Sequence, residues 1–194
     1  MDNNNRLNAK DLINVGIYTA ICAVLCCAVA MTGIIPIMMV LLVVFVPLLT
    51  GIPYMMFLTK VKKFGMILIM NILMGAFMWI AGMSYYALVV GTIAGVVAEL
   101  IYRAGGYKSK KMGILAYAVS GIYCWANYFG IFFNAEGYFA TRQNFGQDYI
   151  DAVTNMLPLW MCPVLLVADI VCGLIGGWIG TKMLKKHFEK AGIV

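Results

Sequence analysis

Six stretches of the chain run almost without charge, at about 12–31, 34–58, 64–83, 85–102, 112–133 and 157–181. A helix needs roughly 20 apolar residues to cross the hydrocarbon core of a bilayer, and each run approaches or exceeds that length. Closed β-barrels are the other spanning solution, but their strands show short alternating patterns, and these runs do not alternate. The pattern predicts an all-α polytopic membrane protein: a six-transmembrane-helix bundle forming a single integral membrane domain over 1–194.

Local signals refine the runs. Asp11 precedes the first and is placed to cap its amino end. That run is too long, and lacks the small-residue cleavage pattern, to read as a removable signal peptide. Pro36, Pro47, Pro53 and Gly51 predict a kinked or broken second helix. Gly82 and Ser84 separate the third run from the fourth. Between the fifth and sixth lies the one long polar connection, 134–156, which mixes Glu136, Arg142, Asp148 and Asp151 with Tyr138, Phe139, Phe145 and Tyr149. Its amphipathic character suits a lid over one mouth of the bundle; a plain solvated connector is the alternative.

Composition agrees with the pattern. Of the 194 residues 63% are hydrophobic and 11% charged, with a mean hydropathy of +0.91; ordinary soluble domains carry about a quarter charged residues. The net charge of +6 is mainly a topology signal. Counting alternate loops, 13 of the 14 Lys and Arg residues fall on one side and Arg142 alone on the other. The positive-inside rule then puts both termini in the cytoplasm, in the cytoplasmic (inner) membrane. No exposed basic domain is left to bind nucleic acid.

Catalytic signatures are missing. The chain has no GxxxxGK[ST] phosphate loop, HExxH or GxSxG motif, so a non-catalytic protein without cofactors is expected. Cys22 and Cys26, one helical turn apart, would suit a soft metal or simply pack as small residues. Candidate binding residues are polar or aromatic groups placed in or near the spans, because polar groups there are costly and often functional. Asp169 lies mid-span in the sixth run, facing a ligand or a helix-to-helix hydrogen bond. Glu99 is one turn from Arg103 and spaced to pair with it. Ser120, Tyr123, Asn127 and Asn134 form a polar stripe along the fifth run. Trp79, Tyr85, Tyr86, Tyr128 and Trp160 gather towards the outer side, with Glu136 and Arg142 in the loop above. They suit an aromatic-lined pocket or an interfacial belt. Small residues recur at four-residue spacing: Gly16 and Ala20, Gly91 and Gly95, Gly173 and Gly177, Gly176 and Gly180. Such ridges admit close helix contacts.

Four stretches carry a family resemblance: NAKDLINVGIYTAI (8–21), MMFLTKVKKFGMILIM (55–70), GGYKSKK (105–111) and CGLIGGWIGTKMLKKHFEKAGIV (172–194). In combination they resemble the substrate-binding S components of energy-coupling-factor (ECF) transporters, in the MptD-type or Trep-Strep group. That resemblance implies a six-helix subunit that captures a small nutrient, of the vitamin or cofactor-precursor class, from outside. It also implies an ECF module as partner: a transmembrane coupling subunit and two cytoplasmic ATPases, which would supply the ATP hydrolysis. S components tend to dock through an AxxxA ridge in the first helix; here the equivalent positions are Gly16 and Ala20, with Ala23 and Cys27 next along. The alternative functions are an autonomous secondary carrier, whose inverted repeat the sequence does not display, a membrane enzyme, or an assembly scaffold.

Overall fold

The computed structural model describes residues 6–140 and 145–188, without the side chains of 187 and 188. Among them every regular element is a helix: α1 (Ala9–Ala30), α2 (Pro36–Lys60), α3 (Met66–Ile80), α4 (Tyr86–Ala104), α5 (Lys110–Ser120), α6 (Tyr123–Asn127), α7 (Phe129–Ala140), α8 (Gln147–Met156) and α9 (Met161–Met183). A 3-10 turn, Met31–Ile34, links α1 to α2, and Leu184–Phe188 closes α9 with a π turn. Four segments are long and apolar enough to cross a membrane: Ala9–Ile34, Pro36–Lys60, Tyr86–Ala104 and Met161–Lys186. The bent pair Lys110–Asn127 and Phe129–Ala140 makes a fifth candidate. With 15 residues, α3 rises only about 22 Å at 1.5 Å per residue, short of a full span.

Three expectations about where helices start, break and bend change on folding. The amino-terminal cap of α1 is Asn8, not Asp11: the Asn8 side chain accepts from Asp11 N–H at 2.9 Å, and Asp11 reciprocates to the Asn8 N–H at 2.9 Å. The Asp11 carboxylate also pairs with Lys63 at 2.8 Å. Secondly, α2 is not broken. Pro36 occupies its first turn, where no N–H is needed, and the helix continues through Pro47 and Pro53. Neighbours take up carbonyls near the prolines: the Tyr117 hydroxyl donates to Pro47 C=O, and Thr50 Oγ1 donates to Val46 C=O at 2.8 Å. Thirdly, the fifth run is not one helix. It bends by 41° between α6 and α7, and Asn134 is extended inside α7 (φ −157°, ψ 71°). The predicted stripe from Ser120 to Asn134 is therefore not continuous.

Glycine lets α9 serve two neighbours at once. A Cβ on Gly176 would lie well inside 3.0 Å of the Pro47 carbonyl oxygen, and one on Gly180 would lie 2.5 Å from that of Gly51. A Cβ on Gly173 would lie 2.9 Å from the Ala118 Cα. The Gly176/Gly180 ridge thus seats α2, and the Gly173/Gly177 ridge seats α5.

Two buried polar groups tie the remaining helices. Asn71 of α3 donates to the carbonyls of Gly91 (3.0 Å) and Ser120 (3.2 Å) and accepts from the Ser120 hydroxyl, joining α3, α4 and α5. Glu99 is fully buried and does not pair with Arg103, as its spacing had suggested. It accepts from the N–H groups of Ile67 at 2.8 Å and Leu68 at 3.3 Å, and from Tyr107 at 3.3 Å. Its carboxyl caps the first turn of α3, whose free N–H groups would otherwise be stranded. Arg103 instead lies 5.6 Å from the Phe64 ring centroid.

These contacts gather one end of the bundle. The Asp11–Lys63 pair, the Arg103–Phe64 contact and the shared cavity formed by Leu58, Tyr107, Lys108, Lys110 and Thr181 bring the lysine-rich segments together. The α3–α4 turn and α7 lie at the opposite end.

Candidate functional site

The opposite end carries a cleft of about 360 Å³ between the α3–α4 turn and α7. Its floor begins at Gly82, whose φ of +82° suits a residue without Cβ and lets the chain reverse after α3. Met83 N–H then donates to Met78 C=O at 2.9 Å. Ser84 follows, its hydroxyl accepting from Tyr86 N–H at 3.3 Å as α4 begins. The opposite wall comes from α7. Gly130 admits the Tyr138 ring, which a Cβ there would meet at 2.5 Å. Asn134 interrupts the helix and restarts it by accepting from Gly137 N–H at 2.9 Å.

A hydrogen-bond chain crosses beneath the cleft. Ser84 N–H donates to Asn127 Oδ1 at 3.1 Å, and Asn127 Nδ2 donates to the Tyr138 hydroxyl at 3.0 Å. Aromatic faces form the rim: Tyr85 and Tyr86 stack with centroids 4.2 Å apart, and Tyr86 meets Phe129 edge-on at 5.7 Å. Trp79 and Tyr85 are each more than half exposed. Among the described residues no Asp, Glu, Lys, Arg or His lines the cleft. Its chemistry is that of ring faces, hydroxyls and amides, suited to a small ligand held by stacking and neutral hydrogen bonds.

The predicted residues divide accordingly. Trp79, Tyr85 and Tyr86 line the cleft, and Asn127 supports it from below. Tyr128 is buried and serves the scaffold, donating to Met39 C=O at 2.7 Å. Glu136 is exposed and Trp160 is 66% exposed; neither lines the cleft. Arg142 lies outside the described residues. Asp169 is buried at 1% exposure, away from the cleft lining, and neither carboxyl oxygen has a hydrogen-bond partner among the described residues.

The segment expected as a lid takes two parts. Asn134 and Tyr138 form a wall of the cleft, whereas α8 is seated beside the start of α2, its Tyr149 hydroxyl donating to Gly33 C=O. Sequence reasoning left Met83 and Ser84 out of the site, and named Asn134 only in the polar stripe and Tyr138 only in the lid. The Gly82–Ser84 turn beside a predicted aromatic cluster was the available signal.

At the other expected surface, the first helix presents an open face. Gly16 and Ala20 are exposed, and nothing lies within 4 Å of a Cβ built on Gly16. Ile13, Ile17 and Val24 are exposed beside them, while Ala23 is half-buried. Cys22 and Cys26 are buried, and no group of three or more His, Cys, Asp or Glu side chains gathers among the described residues.

These features define an integral membrane protein of several apolar helices with an aromatic-rimmed cleft at one end. Residues 9–190 match the family described as hypothetical bacterial integral membrane protein (Trep_Strep), and the chain belongs to that family. No curated protein and no solved structure matches it.

Proposed function

We propose that the chain is the substrate-binding subunit of an ECF-type importer. In this reading it is a non-catalytic six-span protein of the cytoplasmic membrane with both termini inside. The short α3 and the bent α5–α7 segment are counted as its third and fifth spans. It captures a small nutrient of the vitamin or cofactor-precursor class from outside. A separate module, made of a transmembrane coupling subunit and two cytoplasmic ATPases, drives delivery.

The observation that carries the reading is the cleft of about 360 Å³ at the lysine-poor end. Ligand sites run from roughly 300 to 1,000 Å³ and combine apolar walls with a few placed polar groups. The clustering of Lys and Arg at the other end supports an outward-facing mouth. The open Gly16–Ala20 face of α1 supports a docking partner, since a small-residue ridge flanked by exposed Ile13 and Ile17 allows a second helix to approach closely.

Gly16→Leu tests this reading. A Cβ at this position has no atom within 4 Å and the position is exposed, so the variant should fold and keep its melting temperature in detergent. It should lose co-purification of the coupling subunit and ATPases. Undiminished recovery of those partners would remove the α1 face from the docking role.

A further inference from the structure

Directly beneath the cleft is a second cavity of about 40 Å³. Its walls are mostly apolar, with Cys26, Leu42, Val43, Val46 and Met78 among them. Among the described residues only Met83 lines both spaces. The polar side chains that reach the inner cavity are already engaged. Asn127 is held by Ser84 and Tyr138, and the Tyr128 hydroxyl by Met39. A mostly apolar space whose polar groups are satisfied offers little to water and accepts apolar guests. One water needs roughly 10–15 Å³ by this measure, so the inner cavity takes an apolar group of about three or four non-hydrogen atoms.

The outer cleft adds the second constraint. A charged group leaving water needs a countercharge or dense hydrogen bonding, and among the described residues no Asp, Glu, Lys, Arg or His lines this cleft. Asp169 and Glu136 both lie off its lining, and Arg142 lies outside the described residues.

We infer that the cleft and the inner cavity are one ligand chamber divided by the Met83 side chain, and that the ligand is an uncharged molecule with two ends. Its flat polar head stacks against Trp79, Tyr85 and Tyr86, and a short apolar arm passes Met83 into the cavity beside Cys26. Methionine suits a partition of this kind, being unbranched with three rotatable bonds. Its backbone is anchored by the Gly82 turn while its side chain can swing. The assignment of ligand class rests on the reading that this end binds a small molecule; the divided chamber is testable without any ligand.

The experiment uses the full chain in detergent with Cys26 as the sole cysteine, and methyl methanethiosulfonate as a small neutral probe. Met83→Ala should raise the Cys26 labelling rate at least tenfold, and Met83→Trp should lower it. Sulfonatoethyl and trimethylammonioethyl methanethiosulfonates, corrected for their rates with a free thiol, should gain no such acceleration. A companion chain with Cys22 as the sole cysteine reports general loosening, and its rate should not follow Met83. Cys26 rates that are the same in all three Met83 forms, or a Cys22 rate that rises in parallel, would overturn the divided chamber. Charged probes that label as fast as the neutral one would overturn the uncharged ligand. Met83-dependent labelling in a chain that recovers no ATPase would leave the chamber standing and the importer reading refuted; the converse result would do the opposite.

Discussion

Replacing Glu99 separates the two roles its position offers. Spacing alone suggests an ion pair with Arg103; the fold makes Glu99 the cap of α3. Glu99→Ala strands the Ile67 N–H, now bonded at 2.8 Å, weakens the position of Leu68 N–H at 3.3 Å, and frees the Tyr107 hydroxyl. A buried donor left without a partner costs about 1–3 kcal/mol. The long Leu68 bond falls at the low end of that range, so the two N–H groups together lose about 3 kcal/mol. The Tyr107 bond adds up to roughly 1 kcal/mol, for a total near 3–4 kcal/mol. Glu99→Gln can keep both N–H bonds, because Ile67 and Leu68 share one carboxylate oxygen, and should cost about 1 kcal/mol. Arg103→Ala removes a contact with one ring face, worth about 0.5–1 kcal/mol at an exposed site. Equilibrium unfolding by SDS titration in mixed micelles, followed by far-UV circular dichroism, measures all three. The reasoning is refuted if Glu99→Ala and Arg103→Ala cost the same, or if Glu99→Ala costs under 1 kcal/mol.

Two further substitutions probe the bundle. Gly176→Ala puts a methyl against the Pro47 backbone, which cannot swing aside as a side chain can; overpacking of this kind costs about 1–3 kcal/mol, and thermal unfolding in detergent should show the loss. Asp169→Asn removes no hydrogen bond, because both carboxyl oxygens are unpartnered among the described residues, and the variant should be at least as stable as the parent by the same measurement. A clear drop in stability would show that Asp169 holds a partner in the membrane.

The legibility of this chain follows the range of the interactions involved. Helical spans could be read because length and apolarity are local properties, and bilayer thickness converts them directly into structure. The two α9 ridges could be read for the same reason, since four-residue spacing puts Gly176 and Gly180 on one face whatever neighbour arrives. Glu99 could not. Its local partner, Arg103, is four residues away, while the N–H groups it caps are 31 and 32 residues distant. The bend after Asn127 was equally hidden, because nothing in an apolar run announces where the chain must turn so that Tyr138 can reach Asn127. Site residues divide along the same line. Trp79, Tyr85 and Tyr86 stood out by type and by their place at the end of a run. Met83, Ser84 and Tyr138 belong to the site only because Gly82 and Gly130 bring a turn and a helix together. Trp160 shows the opposite error: an aromatic at the right depth that faces outward, as interfacial aromatics commonly do.

The importer reading is tested most directly by purifying the tagged chain in mild detergent from its native membranes and identifying everything retained by mass spectrometry. The account expects a membrane coupling protein, two ATPases and a small uncharged molecule. Recovery of the folded chain alone, with no ATPase even after cross-linking, would contradict it and favour a carrier that works by itself.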